Sequence, residues 1–122
     1  MYDPELPDCV ICELRTLISQ RLLYDKCIEP VAQVLFAQYR LGNKIFLISG
    51  FDESVRSSLI EALENNSIDY DELFMREIPN YKENIYNKHI KDKYNVLFVI
   101  EDNFAEQDIK MWESKDLFVF SC

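Results

Sequence analysis

The chain has 122 residues, 13 Lys plus Arg against 22 Asp plus Glu, a formal net charge of −9 and 48% hydrophobic residues. That length and apolar content suit a single domain over residues 1–122 and exclude the disordered class, and no apolar run approaches the roughly 20 residues of a membrane helix. The acidic balance repels phosphate backbones, so direct nucleic-acid binding is disfavoured and a basic protein surface fits better as a partner. Residues 1–7 hold acids and prolines where a secretion signal needs basic and then apolar residues, which leads to the expectation of a cytoplasmic protein.

The first apolar run, residues 9–12, reads as a strand. Cys9 and Cys12 have C-x-x-C spacing, but positions three apart on a strand face opposite sides, so one metal ion cannot meet both. With Cys27 and Cys122 they are expected to be reduced and structural. Residues 17–29 leave room for a small cap or flap. A helix follows from near Pro30, carries Val31, Val34, Leu35 and Leu41 and stops at Gly42. Residues 44–49 form the next strand. Asp52 caps a second helix with Val55, Leu59 and Leu63 as its stripe. A short strand at residues 73–75, a helix over 81–90, a strand at 95–100, a helix over 104–113 and a strand at 117–120 complete the order. Residues 45–48 and 96–100 are apolar without alternation, so both faces of those strands must be covered. This predicts an α/β fold, a parallel central sheet between two helical layers.

In such sheets ligands bind beyond the carboxyl ends of the strands. The first run exits through Cys12, Glu13, Leu14, Arg15 and Thr16, the second through Ser49 and Gly50, and the third through Glu101, Asp102 and Asn103. The segments FLISGFDE (46–53), LFMR (73–76), KENIYNKHI (82–90) and YNVLFVIEDN (94–103), followed by Met111 and Trp112, together resemble the haloacid dehalogenase (HAD) superfamily, and within it the 3′-phosphatase domain of phage-type polynucleotide kinase/phosphatase. The resemblance implies a three-layer HAD-like, Rossmannoid domain.

In that family an Asp-x-Asp-Gly-Thr motif supplies the nucleophile and the general acid and helps hold Mg²⁺. Registration on Thr16 places Cys12 at the nucleophile and Leu14 at the acid, so both catalytic carboxylates are replaced and no catalytic residue is expected. Thr16, Ser49 and Lys82 match phosphate-binding positions, and Glu101 and Asp102 match the metal-holding acids. The family's Ser-Gly-Arg reads Ser49-Gly50-Phe51. A thiol is a soft Mg²⁺ ligand and Leu14 donates no proton. On a strand Glu13 faces away from Cys12 and Leu14, so only a bulge or slip brings it to their side. No cofactor is expected unless the Mg²⁺ site is retained. His89 reads as a flanking residue of its helix, and Met111 and Trp112 as packing groups.

Residues 61–72 hold Glu61, Glu64, Asp69, Asp71 and Glu72 without Lys or Arg, and form the expected contact for a basic partner such as a nucleic-acid-binding host protein. Two functions follow. The first is a catalytically inactive HAD-like pseudophosphatase that binds a protein, such as a phage-encoded inhibitor of a host defence system of the CRISPR type, acting in the host cytoplasm. The second is a Mg²⁺-dependent nucleic-acid 3′-phosphatase using Glu13 or Cys12.

Overall fold

The computed structural model describes residues 2–18, 29–77 and 79–122. Strands β1 (Asp8–Glu13), β2 (Lys44–Ser49), β3 (Glu72–Met75), β4 (Asn95–Glu101) and β5 (Val119–Ser121) form one parallel sheet in the order β3-β2-β1-β4-β5. Helices α1 (Glu29–Arg40) and α2 (Arg56–Asn65) cover one face. On the other lie α3 (Tyr81–Ile85), which runs into a π-helical turn (Tyr86–Ile90), and α4 (Glu106–Glu113). This is the three-layer α/β arrangement that the uninterrupted apolar strands require.

Central β1 separates two cores. Val10 and Cys12 pack with Leu35, Leu59 and Leu63 beneath α1 and α2, whereas Cys9 and Ile11 pack with Ile85, Ile90 and Trp112 beneath α3 and α4. The two C-x-x-C thiols therefore lie on opposite faces. Where β1 meets β4, Cys9 pairs with Val96 but Val10 pairs with Phe98, so Leu97 is an extra residue. That bulge reverses the alternation of β4 beyond it. Val99 consequently joins the Trp112 core, and Glu101, two residues on, shares its side of the sheet.

Several boundaries differ from the sequence expectation for local reasons. Val34 and Leu41 are 41% and 73% exposed, so the buried stripe of α1 narrows to Val31 and Leu35. Asp52 caps a 3₁₀ turn (Glu53–Val55) by accepting from the Ser54 amide and hydroxyl, and α2 proper begins after it. Phe104 is almost fully exposed because the Asp102 carboxylate accepts from its amide and holds the chain in a turn before α4. Leu117 closes the end of α4 through the Trp112 carbonyl, with Asp116 left-handed at φ 59°, which delays β5 by two residues. The region expected as a cap or flap lies, over residues 19–28, outside the described residues. Among the described residues no helix is long and apolar enough to cross a membrane.

Leu63 is fully enclosed between α2 and the sheet. Leu63→Ala is expected to lower unfolding free energy by about 2–5 kcal/mol, read from the urea midpoint at unchanged slope.

Candidate functional site

Four parallel strands deliver their carboxyl ends to one rim. A left-handed Asn80, φ 62°, turns the chain into α3 and brings Lys82 beneath that rim, where it is 6% exposed. Its Nζ donates to both oxygens of Glu101 at 3.1 Å and to Asp108 Oδ2 at 2.8 Å, and stands 2.9 Å from Glu13 Oε2. Trp112 Nε1 donates to Glu101 Oε2 at 3.0 Å and the Asp102 amide to Oε1 at 3.0 Å, so every face of that carboxylate is engaged. Burial opposes the ammonium, but the charges of Glu13 and Glu101 and the hydrogen bond to Asp108 override it and hold Lys82 above the ordinary lysine range. Burial likewise pushes Glu13 up, with Lys82 pulling the other way less strongly. Glu13 Oε2 is buried at ion-pair distance from Lys82 but has no aligned hydrogen-bond donor among the described residues.

The β1 residue that meets Lys82 is thus Glu13, not Cys12. Strand alternation decides this: Glu13 continues the face of Cys9 and Ile11, while Cys12 and Leu14 belong to the opposite core. Cys12 is fully enclosed with its Sγ 3.3 Å from Thr16 Oγ1, and burial pushes its thiol up to about 12. Thr16 spends its hydroxyl on the Glu13 carbonyl at 2.8 Å. Ser49 is buried and accepts from the Phe51 amide at 3.0 Å.

Beside this cluster a cavity of about 270 Å³ opens at the rim, bounded by Glu13, Arg15, Ser49, Gly50, Asp52 and Arg76 among others. Arg15 and Arg76 are exposed, and neither has a carboxylate at ion-pair distance among the described residues. Arg76 was not singled out by the sequence, although its place directly after LFM marks a strand end. It supplies a guanidinium where Phe51 lacks one, and its amide binds the Phe51 carbonyl at 3.0 Å. Two guanidinium groups without a carboxylate at ion-pair distance among the described residues offer forked donors to an anion with several acceptor oxygens, with Glu13 and Asp52 on the same wall and the Arg76 charge felt at Asp52.

Residues 15–122 match the family described as Polynucleotide kinase PNKP phosphatase domain. The chain belongs to that family. A chain of the solved Pnkp1/Rnl/Hen1 complex is 29% identical, with a TM-score of 0.86 over 98% of this chain and 47% of its own. A chain of the Pnkp1/Rnl/Hen1 RNA repair complex is 30% identical, also with a TM-score of 0.86, over 100% of this chain and 44% of its own. This PNKP-phosphatase-type domain therefore spans less than half the length of those chains. The class C acid phosphatase of Bacillus anthracis shares the fold at 11% identity, with a TM-score of 0.69 over 96% of this chain and 69% of its own. No curated protein sequence matches it.

HAD phosphatases of this kind normally use Mg²⁺, and the donors present do not suit that ion. Among the described residues no group of three His, Cys, Asp or Glu side chains could hold a metal. The carboxylates of Glu13, Glu101 and Asp108 converge instead on the Lys82 ammonium, and Asp102 Oδ1 accepts from the Phe104 amide. A hard divalent cation needs free oxygens at octahedral positions, and Glu101 has none to offer. Of the remaining residues, Met111 is half-buried, Trp112 is fully buried and bound to Glu101, and His89 is exposed against Phe74. Glu61, Glu64, Asp69 and Glu72 are exposed, away from the rim cluster. Asp71 departs from the expectation of an unneutralised acidic run: it binds the Ile45 amide at 2.8 Å and pairs with Lys44 at 3.5 Å.

Lys82→Met strands three carboxylates, and the expected loss is about 3–5 kcal/mol in urea unfolding at neutral pH. In the parent protein the folded state keeps the Lys82 proton above about pH 10.4, where an unfolded lysine releases it, so stability falls as pH rises through that range. The Met variant is expected to show a shallower alkaline decline. Native iodoacetamide treatment followed by peptide mass analysis is expected to modify exposed Cys122 and leave Cys9 and Cys12 untouched, because burial holds both thiols near 12.

Proposed function

We propose that this domain is a non-hydrolysing member of its family that binds the phosphorylated end of a polynucleotide. One observation carries the reading: no register of the first motif leaves a proton donor two residues past the nucleophile. Registration on Cys12 puts Leu14 there, buried in the core; registration on Glu13, the residue facing Lys82, puts Arg15 there. Phosphoryl transfer through an acyl phosphate needs a carboxylate free to approach phosphorus in line and an acid to protonate the leaving oxygen. Glu13 is tied to Lys82, and a guanidinium does not give up its proton.

Binding is a separate matter from turnover. Arg15 and Arg76 offer forked donors at the cavity, which Ser49 and Gly50 at the β2 exit also line. The resemblance of the chain to a component of an RNA repair complex supports a polynucleotide end as the anion. A terminal phosphate meets the two arginines locally, which a repulsive overall charge of −9 weakens but does not abolish.

A second reading is favoured by the exposed acids of α2 and the turn that follows. Glu61, Glu64, Asp69 and Glu72 present a surface for a basic protein, a nucleic-acid-binding host protein or defence nuclease in the cytoplasm, whose affinity would fall with salt. Asp71, already paired with Lys44, takes no part.

Incubation of a 3′-phosphorylated oligonucleotide with the protein and Mg²⁺ is expected to release no phosphate, while fluorescence anisotropy detects binding that requires the 3′-phosphate. Arg76→Ala is expected to weaken that binding about tenfold or more. Phosphate release that disappears in Glu13→Gln restores the phosphatase assignment instead.

A further inference from the structure

The geometry points to a nucleobase-stacking site on the Phe74–His89 pair, beside the anion cavity, that takes a base of the single strand whose phosphorylated end the cavity holds; it rests on the binding function proposed above. Phe74 stands on the edge strand β3 and is half-buried, while His89 projects from the π-helical turn and is exposed. Their ring centres are 4.9 Å apart with planes 31° from parallel, so Phe74 backs one face of the imidazole and leaves the outer face to solvent. Two hollows flank the pair and share both rings, one of about 90 Å³ toward Tyr81, Asn84 and Lys88, the other of about 410 Å³ toward Tyr94 and Lys93. Phe74 packs on the core and only the exposed imidazole is free to take a further ring, and exposed aromatic faces are where bases stack without regard to sequence.

The smaller hollow neighbours the anion cavity, while the larger, bordered by Pro7, Glu72, Lys93 and Tyr94, opens toward the amino ends of the strands. A side-chain carbon at Gly50, on the cavity wall, would lie 3.4 Å from the Tyr81 hydroxyl, which borders the nearer hollow. Arg76 on the cavity wall and Glu77 on the hollow are consecutive residues. Charge follows the same path. Residues 82–93 carry four lysines against Glu83 and Asp92 in a chain of net charge −9, and three of them, Lys88, Lys91 and Lys93, are exposed. Lys88 and Lys93 flank the stacked pair, and the exposed Asn84 amide offers donor and acceptor to a base edge. Glu72 and Glu77 also border the hollows and limit the path to the last nucleotides before the phosphate. The π-helical turn, a rare geometry that widens the helix by one residue, holds His89 and Lys88 side by side on this surface.

The test uses fluorescence anisotropy with a 5′-labelled single-stranded decanucleotide bearing a 3′-phosphate, and inorganic phosphate as competitor. His89→Ala is expected to weaken oligonucleotide binding about 5- to 100-fold, and His89→Tyr to restore it, while the concentration of inorganic phosphate needed to displace the remaining oligonucleotide per unit affinity stays the same. His89 is exposed, so folding is retained, and thermal melting checks it. Binding that depends on Arg76 but not on His89 overturns the stacking site and leaves the anion cavity standing. A loss in His89→Ala that His89→Tyr does not repair also overturns stacking. No binding by the parent protein overturns both.

Discussion

One buried ammonium organises the carboxyl end of this sheet. Lys82 draws side chains from β1, β4 and α4 onto a single point, and Glu101 extends the contact to the Trp112 indole and to the turn after β4. Lys82, Glu13 and Glu101, each costly to bury alone, are tolerable only together, with the part-exposed Asp108 as the third carboxylate. The arrangement specifies geometry more than it adds stability: α3, α4 and the end of β1 cannot shift independently without exposing an uncompensated charge to the core. The excess of carboxylate over ammonium falls on Glu13, whose buried Oε2 has no aligned donor among the described residues.

The same cluster determines what chemistry remains. In a HAD phosphatase the strand-end carboxylates serve the reacting phosphoryl group. Here they serve an internal cation, and a fully satisfied Glu101 has no lone pair to give. In the function proposed above, anion recognition falls to two guanidinium groups at the cavity rim. Arg76 lines the same cavity as Gly50 and Phe51, and Arg15 occupies the strand-exit position where an acid would act in the register that Glu13 sets. In the function proposed above, forked donors without an acid at the leaving-group position suit holding a phosphate rather than breaking its ester.

Two small irregularities of backbone place these groups. The extra residue at Leu97 reverses β4 so that Glu101 reaches the Lys82 side, and the π-helical turn after α3 sets His89 against Phe74.

Strand order in the chain, the two-layer covering, the strand-end positions of Ser49 and Glu101 and the helical place of Lys82 were legible from the sequence, because continuous apolar runs and helical spacing are local patterns. Loss of the first motif's acids was legible too, as a matter of residue type. Which side of the sheet each strand-end residue meets was not. Cys12 and Glu13 are adjacent, and only the position of α3 shows that Lys82 lies under the Glu13 face. Nothing in the sequence flags the Leu97 bulge, since every residue around it is apolar, and the neutralisation of Asp71 by Lys44 joins strand ends 27 positions apart. Composition and periodicity fix what a segment becomes. Whether a side chain is spent internally or left for a ligand depends on partners brought from distant parts of the chain, which tertiary structure alone decides.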